Sequence, residues 1–305
     1  MSVGKEKINV LSLFDGMSCG QIALNRAGIE YENYFASEID KYSIDITQKN
    51  YPNTIQLGSV EFVTKEMINT NIDLLIGGSP CQGFSTAGKQ LNFEDPRSKL
   101  FFEYVRLLKE LNPKYFLLEN VGMKKEWQEV ITKLLKVEPI EINSKLMSAG
   151  LRKRIYWTNI PGVENPKDKG ILLNNILDEA FSEKEKSYCI DANYGKGSNL
   201  KRYLHRGSRQ IVFTDYNFMK SITSNKPKEE DCNKIGKDNR DKWRFLTPNE
   251  CEKIQTLPVD YTMGVPKFWR YHMLGNGWTV DVIAHIFSSL KGEEIFNNFS
   301  KENVD

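Results

Sequence analysis

Cys81 and Glu119 stand where two strand-like apolar segments end. Cys81 follows the run Leu74–Gly77 through Gly78-Ser79-Pro80, and Glu119 follows the run Tyr115–Leu118. A cysteine thiolate is a nucleophile and a carboxyl group exchanges protons, so the two together suit covalent catalysis. The small neighbours and the fixed φ of the proline favour an exposed, rigid thiol. Taken singly, a buried inert cysteine and an ion-paired glutamate are the commoner interpretations.

Arg152 and Arg154 add positive charge to this set. They lie in Leu151–Trp157, whose strand-like alternation predicts that both side chains point to one face. Guanidinium groups bind carbonyl and phosphate oxygens and lower the pKa of a nearby thiol. Paired arginines on a surface strand are, however, usually only solvated.

A glycine-bearing turn follows the first strand-like segment, Ile8–Phe14. The turn Asp15-Gly16-Met17-Ser18-Cys19-Gly20 leads into a helical pattern, which places free backbone N–H groups at a helix start. Glu38 follows the second strand, where nucleotide-binding sheets present a carboxylate to ribose hydroxyls. The glycine spacing departs from G-x-G-x-x-G, so the turn alone is equally consistent with a structural role.

Short apolar runs alternate with helical patterns through the first half of the chain. This rhythm predicts an α/β fold with a doubly wound, mostly parallel sheet, which would bring the turn, Cys81 and Glu119 to the carboxyl-end edge of the strands. The predicted strands are Ile8–Phe14, Tyr34–Ser37, Leu74–Gly77 and Tyr115–Leu118, and the predicted helices are Gly20–Ala27, Ile44–Asn50, Leu100–Leu111 and Glu126–Leu135.

The pattern changes after Pro161, which predicts a second, smaller lobe. Helical periodicity returns from Pro248 to near Leu257 and again over Val280–Leu290. The polar stretch Asn225–Arg244 is predicted as a long loop or linker. The predicted division is a first domain over 1–161, the second lobe over 162–243, and a return to the first domain over 244–305.

The composition limits the class of protein. The chain has 305 residues with 42 basic and 40 acidic side chains, so a basic surface must come from local clustering. Five separated cysteines without a C-x-x-C pair argue against a zinc ribbon, a metal site or a disulfide framework. The longest apolar runs are far shorter than the roughly 20 residues that span a bilayer, so we expect a cytoplasmic protein without membrane contact.

Seven ordered motifs resemble those of the cytosine-carbon-5 DNA methyltransferases. The likeness is to bacterial and phage members, with some similarity to the animal de novo branch, and it covers nearly all of the chain outside the second lobe. The motifs are Phe14-Asp15-Gly16 with Gly20, Glu38, Pro80-Cys81, Glu119-Asn120-Val121, Arg152 with Arg154, Arg244-Phe245-Leu246-Thr247-Pro248 with Glu250, and Leu274-Gly275-Asn276.

The resemblance implies a role for each residue of the reacting set. Cys81 would add to carbon 6 of a cytosine that has flipped out of duplex DNA, and a protonated Glu119 would hold ring nitrogen 3. Arg152 and Arg154 would hold the cytosine carbonyl and a phosphate, and Asn120 would support the loop.

The resemblance also implies S-adenosylmethionine as the cofactor. One departure is that Gly58-Ser59-Val60 stands where many members place an aspartate for the adenine amine, and another is Gly150 where many carry glutamine. The implied cofactor-binding residues are Phe14, Asp15, Gly16, Ser18, Cys19, Gly20, Glu38, Ile39, Ser59, Val60, Pro80, Leu100, Asn276 and Trp278.

The second lobe takes the position of the family's target-recognition segment. Its stretch Ala192–Thr214 has basic residues, tyrosines and glycines but no acid, which suits phosphate contacts, although a solvated basic face is equally common. The implied DNA contacts are Gln82, Ser85, Arg97, Lys196, Lys201, Arg202, Arg206 and Arg209. Double-stranded DNA is the implied partner, with a monomer as the default and a cognate restriction endonuclease as a further candidate.

Three other classes compete with this interpretation. An enzyme of the same fold acting on transfer RNA would keep Cys81, Glu119 and the arginines, but the Cys-Phe-Thr signature of that branch is absent. A non-catalytic DNA-binding relative would commonly lose Pro80-Cys81 or the glycine turn. A thiol oxidoreductase would need a resolving cysteine near Cys81.

Overall fold

Seven strands form one sheet in the order β3-β2-β1-β4-β5-β7-β6. The computed structural model describes residues 7–79 and 96–292, without the side chains of residues 96–98. Strands β1 to β5 pair in parallel, and β7 runs antiparallel to β5. The strands are β1 Ile8–Leu13, β2 Tyr31–Ser37, β3 Ile55–Gln56, β4 Leu74–Gly78, β5 Tyr115–Val121, β6 Ile140–Asn143 and β7 Lys153–Thr158.

Helices follow the parallel strands as the sequence rhythm predicts, and the mostly parallel α/β fold is confirmed. Asp40 caps the second helix, since its carboxylate accepts from the backbone N–H of Ser43 at 2.8 Å. Gly28 ends the first helix with a φ of 65°, a left-handed conformation that favours glycine. The helices of this part are α1 Cys19–Ala27, α2 Lys41–Asn50, α3 Pro96–Leu111 and α4 Lys125–Leu135.

The chain divides into two compact units. The first comprises Met1–Ile142, Lys153–Pro166 and Val282–Asp305, and the second comprises Asn143–Arg152 and Lys167–Asp281. The core of the first unit lies on the sheet, around Leu11, Leu75, Tyr104, Leu118 and Trp157. The second unit therefore extends past the predicted boundary at residue 243 and takes in most of the C-terminal segment.

The second unit has its own core on a two-stranded antiparallel sheet. Tyr203, Phe213 and Trp243 belong to this core. Its elements are α5 Leu200–Arg206, β8 Ile211–Phe213, α6 Tyr216–Ser224, α7 Cys232–Asp238, β9 Trp243–Phe245, α8 Pro248–Ile254 and α9 Lys267–Asn276, and the chain continues into α10 Val280–Ser288.

The prediction of a long loop over Asn225–Arg244 is wrong. The stretch contains α7 and the start of β9, because two well-spaced anchors, Cys232 and Trp243, are buried in the core. The indole Nε1 of Trp243 donates to Gly236 O at 3.0 Å, which ties α7 to β9. A polar segment needs few apolar residues to be anchored in a core when each of them is buried. None of the described helices is long and apolar enough to cross a bilayer.

Candidate active site

The ends of β4 and β5 lie side by side. The two strands pair in parallel with Gly78 opposite Glu119. Gly77 allows the close approach of Tyr104, since a Cβ there would lie 3.1 Å from the tyrosine ring and 3.0 Å from Leu13 O. The chain then enters the predicted nucleophile loop. Pro80, Cys81, Gln82 and Ser85 lie outside the described residues, as does the side chain of Arg97.

Glu119 is buried beside Arg154. Its Oε1 lies 2.8 Å from Arg154 Nε, and both side chains are largely shielded from solvent. The register brings them together, because β7 runs antiparallel to β5 with Tyr156 opposite Glu119 and Arg154 opposite Val121. A carboxyl group and a guanidinium group therefore share the edge to which β4 leads.

Asn120 anchors the segment that enters the nucleophile loop. Its side-chain Nδ2 donates to Ser79 Oγ at 3.1 Å and lies 3.4 Å from Ser79 O, and both residues are buried. Its Oδ1 accepts from the backbone N–H of Val121 at 2.8 Å. The position immediately before Pro80 is thus held to β5 by two contacts.

Arg152 belongs to the second unit and stands one residue before β7 begins. It is buried, and its guanidinium donates to the backbone carbonyls of Ile190 and Gly275, at 3.3 Å and 3.1 Å. Because β7 begins at Lys153, Arg152 is not part of the strand, and the shared face with Arg154 stays a prediction. Its implied contact with cytosine stays a prediction.

Glu38 holds the glycine turn in place. Its Oε2 accepts from the backbone N–H of Gly16 at 2.7 Å, and its Oε1 accepts from the N–H groups of Ile39 and Asp40 at 2.7 and 2.8 Å. The turn itself has left-handed backbone at Phe14, Gly16 and Ser18. Its shape is therefore fixed by the carboxylate that the sequence analysis assigns to ribose.

Asp15 is a partly buried acid whose two carboxylate oxygens have different surroundings. Tyr34 donates its hydroxyl to Asp15 Oδ1 at 2.8 Å. Asp15 Oδ2 is buried and accepts no hydrogen bond from the described residues. Burial raises the pKa of this carboxyl to about 6, and repulsion by Glu38 adds to the rise. A buried oxygen of this kind is suited to a cationic donor.

Two glycines of the turn differ in their surroundings. A Cβ at Gly16 would meet nothing within 4 Å, so the backbone there borders open space. A Cβ at Gly20 would lie 2.6 Å from both the Tyr34 hydroxyl and Ile76 Cδ1, so this glycine lets α1 pack on the sheet. Ser18 and Cys19 are buried at the start of α1.

The remaining predicted cofactor residues of the first unit range from exposed to buried. Ile39 is 76% exposed, which is an unusual state for an isoleucine. Ser59 is partly exposed and precedes the buried Val60. Phe14 and Leu100 are partly buried against the core of the sheet.

Asn276 and Trp278 belong to the second unit, at the end of α9. The Asn276 side chain is exposed, and its Nδ2 lies 3.2 Å from His272 Nε2. Trp278 is partly buried.

The basic residues of the second lobe divide into two groups. Lys196 and Arg206 are exposed and Arg202 is partly exposed. Lys201 forms an ion pair with Glu229 at 3.2 Å. Arg209 is turned inward, where Nε lies 3.3 Å from Asp191 Oδ2 and Nη1 donates to Gly197 O at 2.7 Å. Its contacts within the lobe indicate a structural role beside the predicted DNA contact.

Comparison with known proteins identifies the family. The sequence profile of the C-5 cytosine-specific DNA methylases matches residues 8–137 and 163–292. The chain belongs to this family. The predicted family is thereby confirmed.

Relatives of the family occur in phages and bacteria. The chain is 45% identical over 117 residues to the orphan methyltransferase M.Rho11sI of Bacillus phage rho11s, a stretch that covers 38% of this chain and 23% of the phage protein. It is 27% identical to the type II methyltransferase M1.ScrFI of Lactococcus lactis, covering 92% of this chain and 77% of that protein. The matched part thus spans about a quarter of the first phage relative.

Solved structures of the family share the fold. The DNMT2 mutant from Spodoptera frugiperda has a TM-score of 0.69 and 23% identity, covering 93% of this chain and all of that one. EhMeth of Entamoeba histolytica has a TM-score of 0.72 and 19% identity, covering 94% and 99%. At these identities the likeness confirms the Rossmann-like methyltransferase fold.

Tyr34 and Ser79 are site residues that sequence reasoning missed. Tyr34 lies in a predicted buried strand, where a tyrosine is interpreted as a core residue. The structure shows that its hydroxyl donates to Asp15. Ser79 is one of the small neighbours of Cys81, and its hydrogen bond with Asn120 has no local signal because the two residues are 41 positions apart. No cluster of metal-ligating side chains occurs in residues 7–79 and 96–292.

Proposed function

We propose that the protein is a DNA (cytosine-5-)-methyltransferase. It transfers a methyl group from S-adenosylmethionine to carbon 5 of a cytosine flipped out of a specific duplex sequence, with Cys81 as the covalent nucleophile. The observation that carries the proposal is the buried Glu119–Arg154 pair on β5 and β7, directly beside the strand that leads to Cys81. Cys81 follows Gly78 by three residues, so covalent geometry keeps their Cα atoms within about 11 Å.

The reaction requires activation of the ring, because carbon 5 of cytosine is a weak nucleophile. The Cys81 thiolate adds to carbon 6, and the 5,6 electron pair becomes available at carbon 5. Glu119 in its protonated form donates to ring nitrogen 3 and stabilises the negative charge that the addition places on the ring. S-adenosylmethionine supplies an electrophilic methyl group when it is bound. Once carbon 5 carries the methyl group, water accepts the proton of this carbon, the 5,6 double bond re-forms and the Cys81 thiolate leaves.

Arg154 serves two tasks in this scheme. Its Nε contact orients the Glu119 carboxyl group, while its guanidinium charge favours the thiolate and the cytosine carbonyl. Asn120 holds Ser79 and thereby limits the positions open to the loop that starts at Pro80. Positioning of this kind lowers the entropic part of the barrier.

The residues of the glycine turn fit S-adenosylmethionine. The buried Asp15 Oδ2 suits the α-ammonium group, whose positive charge would compensate the burial of the carboxylate. The open space at Gly16 admits a ligand close to the backbone. Glu38 is fixed by three backbone N–H groups and retains acceptor capacity for ribose hydroxyls. The exposed Ile39 supplies an apolar surface for adenine.

The second lobe would bind the duplex. The exposed Lys196 and Arg206 and the partly exposed Arg202 suit phosphates, while Gln82, Ser85 and Arg97 remain proposed contacts on the nucleophile side. A cytoplasmic monomer is proposed, since the named relatives are phage and bacterial methyltransferases. A cognate restriction endonuclease is proposed because the Lactococcus lactis relative is a type II methyltransferase.

Cytosine-conversion sequencing tests the reaction directly. Unmethylated plasmid DNA is incubated with the protein and S-adenosylmethionine, with the Cys81→Ser variant as the matched control. We expect protected cytosines in one fixed sequence context with the intact protein only, because the serine oxygen is not activated as a thiolate is. Methylation by the serine variant would overturn the covalent mechanism. Complete conversion of DNA, with methylation of a transfer RNA pool assayed in parallel, would assign RNA as substrate.

A further inference from the structure

The Arg152 guanidinium binds two chain segments that are far apart in sequence. Its Nη1 donates to Ile190 O at 3.3 Å and to Gly275 O at 3.1 Å, and its Nη2 lies 3.5 Å from Asn276 O. The Cys189 Sγ lies 3.6 Å from Nη1. The side chain is only 7% exposed. These contacts lie within the second unit.

The last carbonyls of a helix lack partners within the helix, and Arg152 supplies them for α9. Gly275 and Asn276 are the final residues of this helix. A guanidinium group at this end also interacts favourably with the helix dipole. A buried cation bound by several carbonyl oxygens is a stable arrangement, because each contact is charge-assisted.

The segment Cys189–Ala192 lies directly against the same helix end. A Cβ at Gly275 would collide with the backbone of Asp191 and Ala192, so the two backbones are in contact. On the neighbouring turn, His272 Nδ1 lies 3.2 Å from Ala192 O, and His272 Nε2 lies 3.2 Å from Asn276 Nδ2. Arg152 therefore bridges a junction that is already tightly packed.

The junction continues into the basic segment of the lobe. Asp191 accepts from Arg209 Nε at 3.3 Å, and Arg209 Nη1 donates to Gly197 O. Tyr194 packs on Tyr271 of α9 with ring centroids 5.4 Å apart. A continuous series of contacts thus leads from the end of α9 to the residues that flank Lys196.

We propose that Arg152 is a positioning residue that clamps the end of α9 to the segment Cys189–Ala192. The inference rests on the proposed function, in which Asn276 binds S-adenosylmethionine and the lobe beyond Ala192 binds DNA. By fixing both ends of the junction, Arg152 sets the place of Asn276 and couples it to the DNA-reading segment. Arg154, which pairs with Glu119, remains the arginine of the reacting site.

The variants Arg152→Met and Arg154→Met separate the two roles. Methionine keeps the unbranched stem and removes the guanidinium in both cases. S-adenosylmethionine binding is measured by calorimetry without DNA, so contact with cytosine or phosphate contributes nothing. We expect Arg152→Met to weaken this binding at least tenfold and to raise the KM for DNA with a smaller loss of kcat. Arg154→Met should lower kcat and change DNA-free cofactor binding less than twofold.

The conservative variant Arg152→Lys keeps a charged donor and should restore part of the loss. We expect its cofactor binding to be at least threefold weaker than wild type and tighter than that of Arg152→Met. If Arg152→Met does not fold, Arg152→Lys decides alone. Wild-type cofactor affinity in the folded Arg152 variants would overturn the clamp.

Amide hydrogen exchange keeps the clamp separate from the proposed function. If the wild-type protein binds no S-adenosylmethionine or methylates no DNA, the proposed function fails. The clamp is then decided by exchange at Tyr194 and Gly277, whose amides donate to Asp191 O and Met273 O. Both amides should exchange at least tenfold faster in the Arg152 variants than in Arg154→Met. Equal exchange in both would overturn it.

Discussion

Two regions of the molecule bury a carboxylate against an arginine, and the partners of the two carboxylates differ. Glu119 in the first unit meets the Arg154 side chain across neighbouring strands. Glu252 in the second unit is fully buried and pairs with Arg270 at 2.9 Å. It also accepts from the backbone N–H groups of Asp260 and Thr262, at 2.7 and 2.9 Å. Glu252 thus holds the loop at Asp260 and Thr262 in place and also pairs with the charge of Arg270.

Glu250, two residues earlier on α8, repeats the pattern of Glu252. It binds Arg244 through both carboxylate oxygens, at 2.8 and 2.9 Å, and accepts from the backbone N–H groups of Asp178 and Thr247. Backbone amides cannot exchange partners without moving the chain, whereas a guanidinium on a long side chain can turn towards a substrate. Burial beside an arginine is shared by Glu119 and by these two glutamates, so it does not by itself mark a catalytic acid.

Glu119→Gln should give the largest effect, and it should be catalytic. The amide cannot donate a carboxyl proton to ring nitrogen 3, so we expect kcat to fall by about 10²- to 10⁴-fold with the fold retained. Single-turnover methyl transfer measures the loss, and thermal unfolding verifies the fold. Unchanged turnover in a folded variant would remove Glu119 from the reaction.

Glu252→Gln should act on stability instead. It removes the charge that Arg270 needs and weakens the contacts to two backbone N–H groups, so we expect a loss of about 3 to 5 kcal/mol in the free energy of unfolding. Urea unfolding provides the value. At a low temperature where the variant is folded, its kcat should equal the wild-type value. A lower kcat in the folded variant would contradict a purely structural role for Glu252.

Asp15→Asn should stabilise the cofactor-free protein at neutral pH. The folded pKa of about 6 lies above the usual value of 3.8, so stability falls as pH rises from 4 to 6 and is constant above. At pH 7 the shift corresponds to about 2 to 3 kcal/mol, which asparagine avoids. The gain in melting temperature should shrink towards pH 4, while S-adenosylmethionine binding should weaken. A pH-independent gain would contradict a buried titrating carboxyl.

Two tyrosine-to-phenylalanine changes extend the comparison to neutral groups and should give the smallest effects. Tyr194 is buried, and its hydroxyl donates to Gln210 O and accepts from Leu246 N. The buried Tyr104 hydroxyl has no hydrogen-bond partner among the described residues. We expect Tyr194→Phe to cost about 1 to 2 kcal/mol and Tyr104→Phe to cost nothing or to stabilise by up to about 1 kcal/mol. Equal losses in urea unfolding would contradict this.

Local patterns of the sequence predicted most of the fold. The alternation of apolar runs with helical periodicity located the first four long strands and their helices within a few residues, since strand and helix periods are properties of short segments. Parallel pairing predicted that the strand ends meet at one edge of the sheet. At this edge Glu119 lies beside β4, the strand that precedes Cys81. The expectation for the polar stretch 225–244 failed, because a composition average hides two fully buried anchors.

Contacts between distant segments were beyond the sequence patterns. Arg152 and Arg154 have the same spacing as two residues on one strand face, yet β7 begins at Lys153. The side chain of Arg152 is bound to carbonyls of α9, more than 120 residues later in the chain. No periodicity encodes such a contact, since it depends on how separate elements pack.

The space that Gly20 leaves free has a consequence for how this chain can vary. The Tyr34 hydroxyl occupies that space and also donates to Asp15. A single methyl group at position 20 would displace the hydroxyl from its contact with Asp15, although position 20 does not bond to either residue. Substitutions at positions 20 and 34 are therefore epistatic, because alanine at 20 fits best where phenylalanine has already replaced the tyrosine. A change at one of the two positions therefore restricts which residues the other accepts.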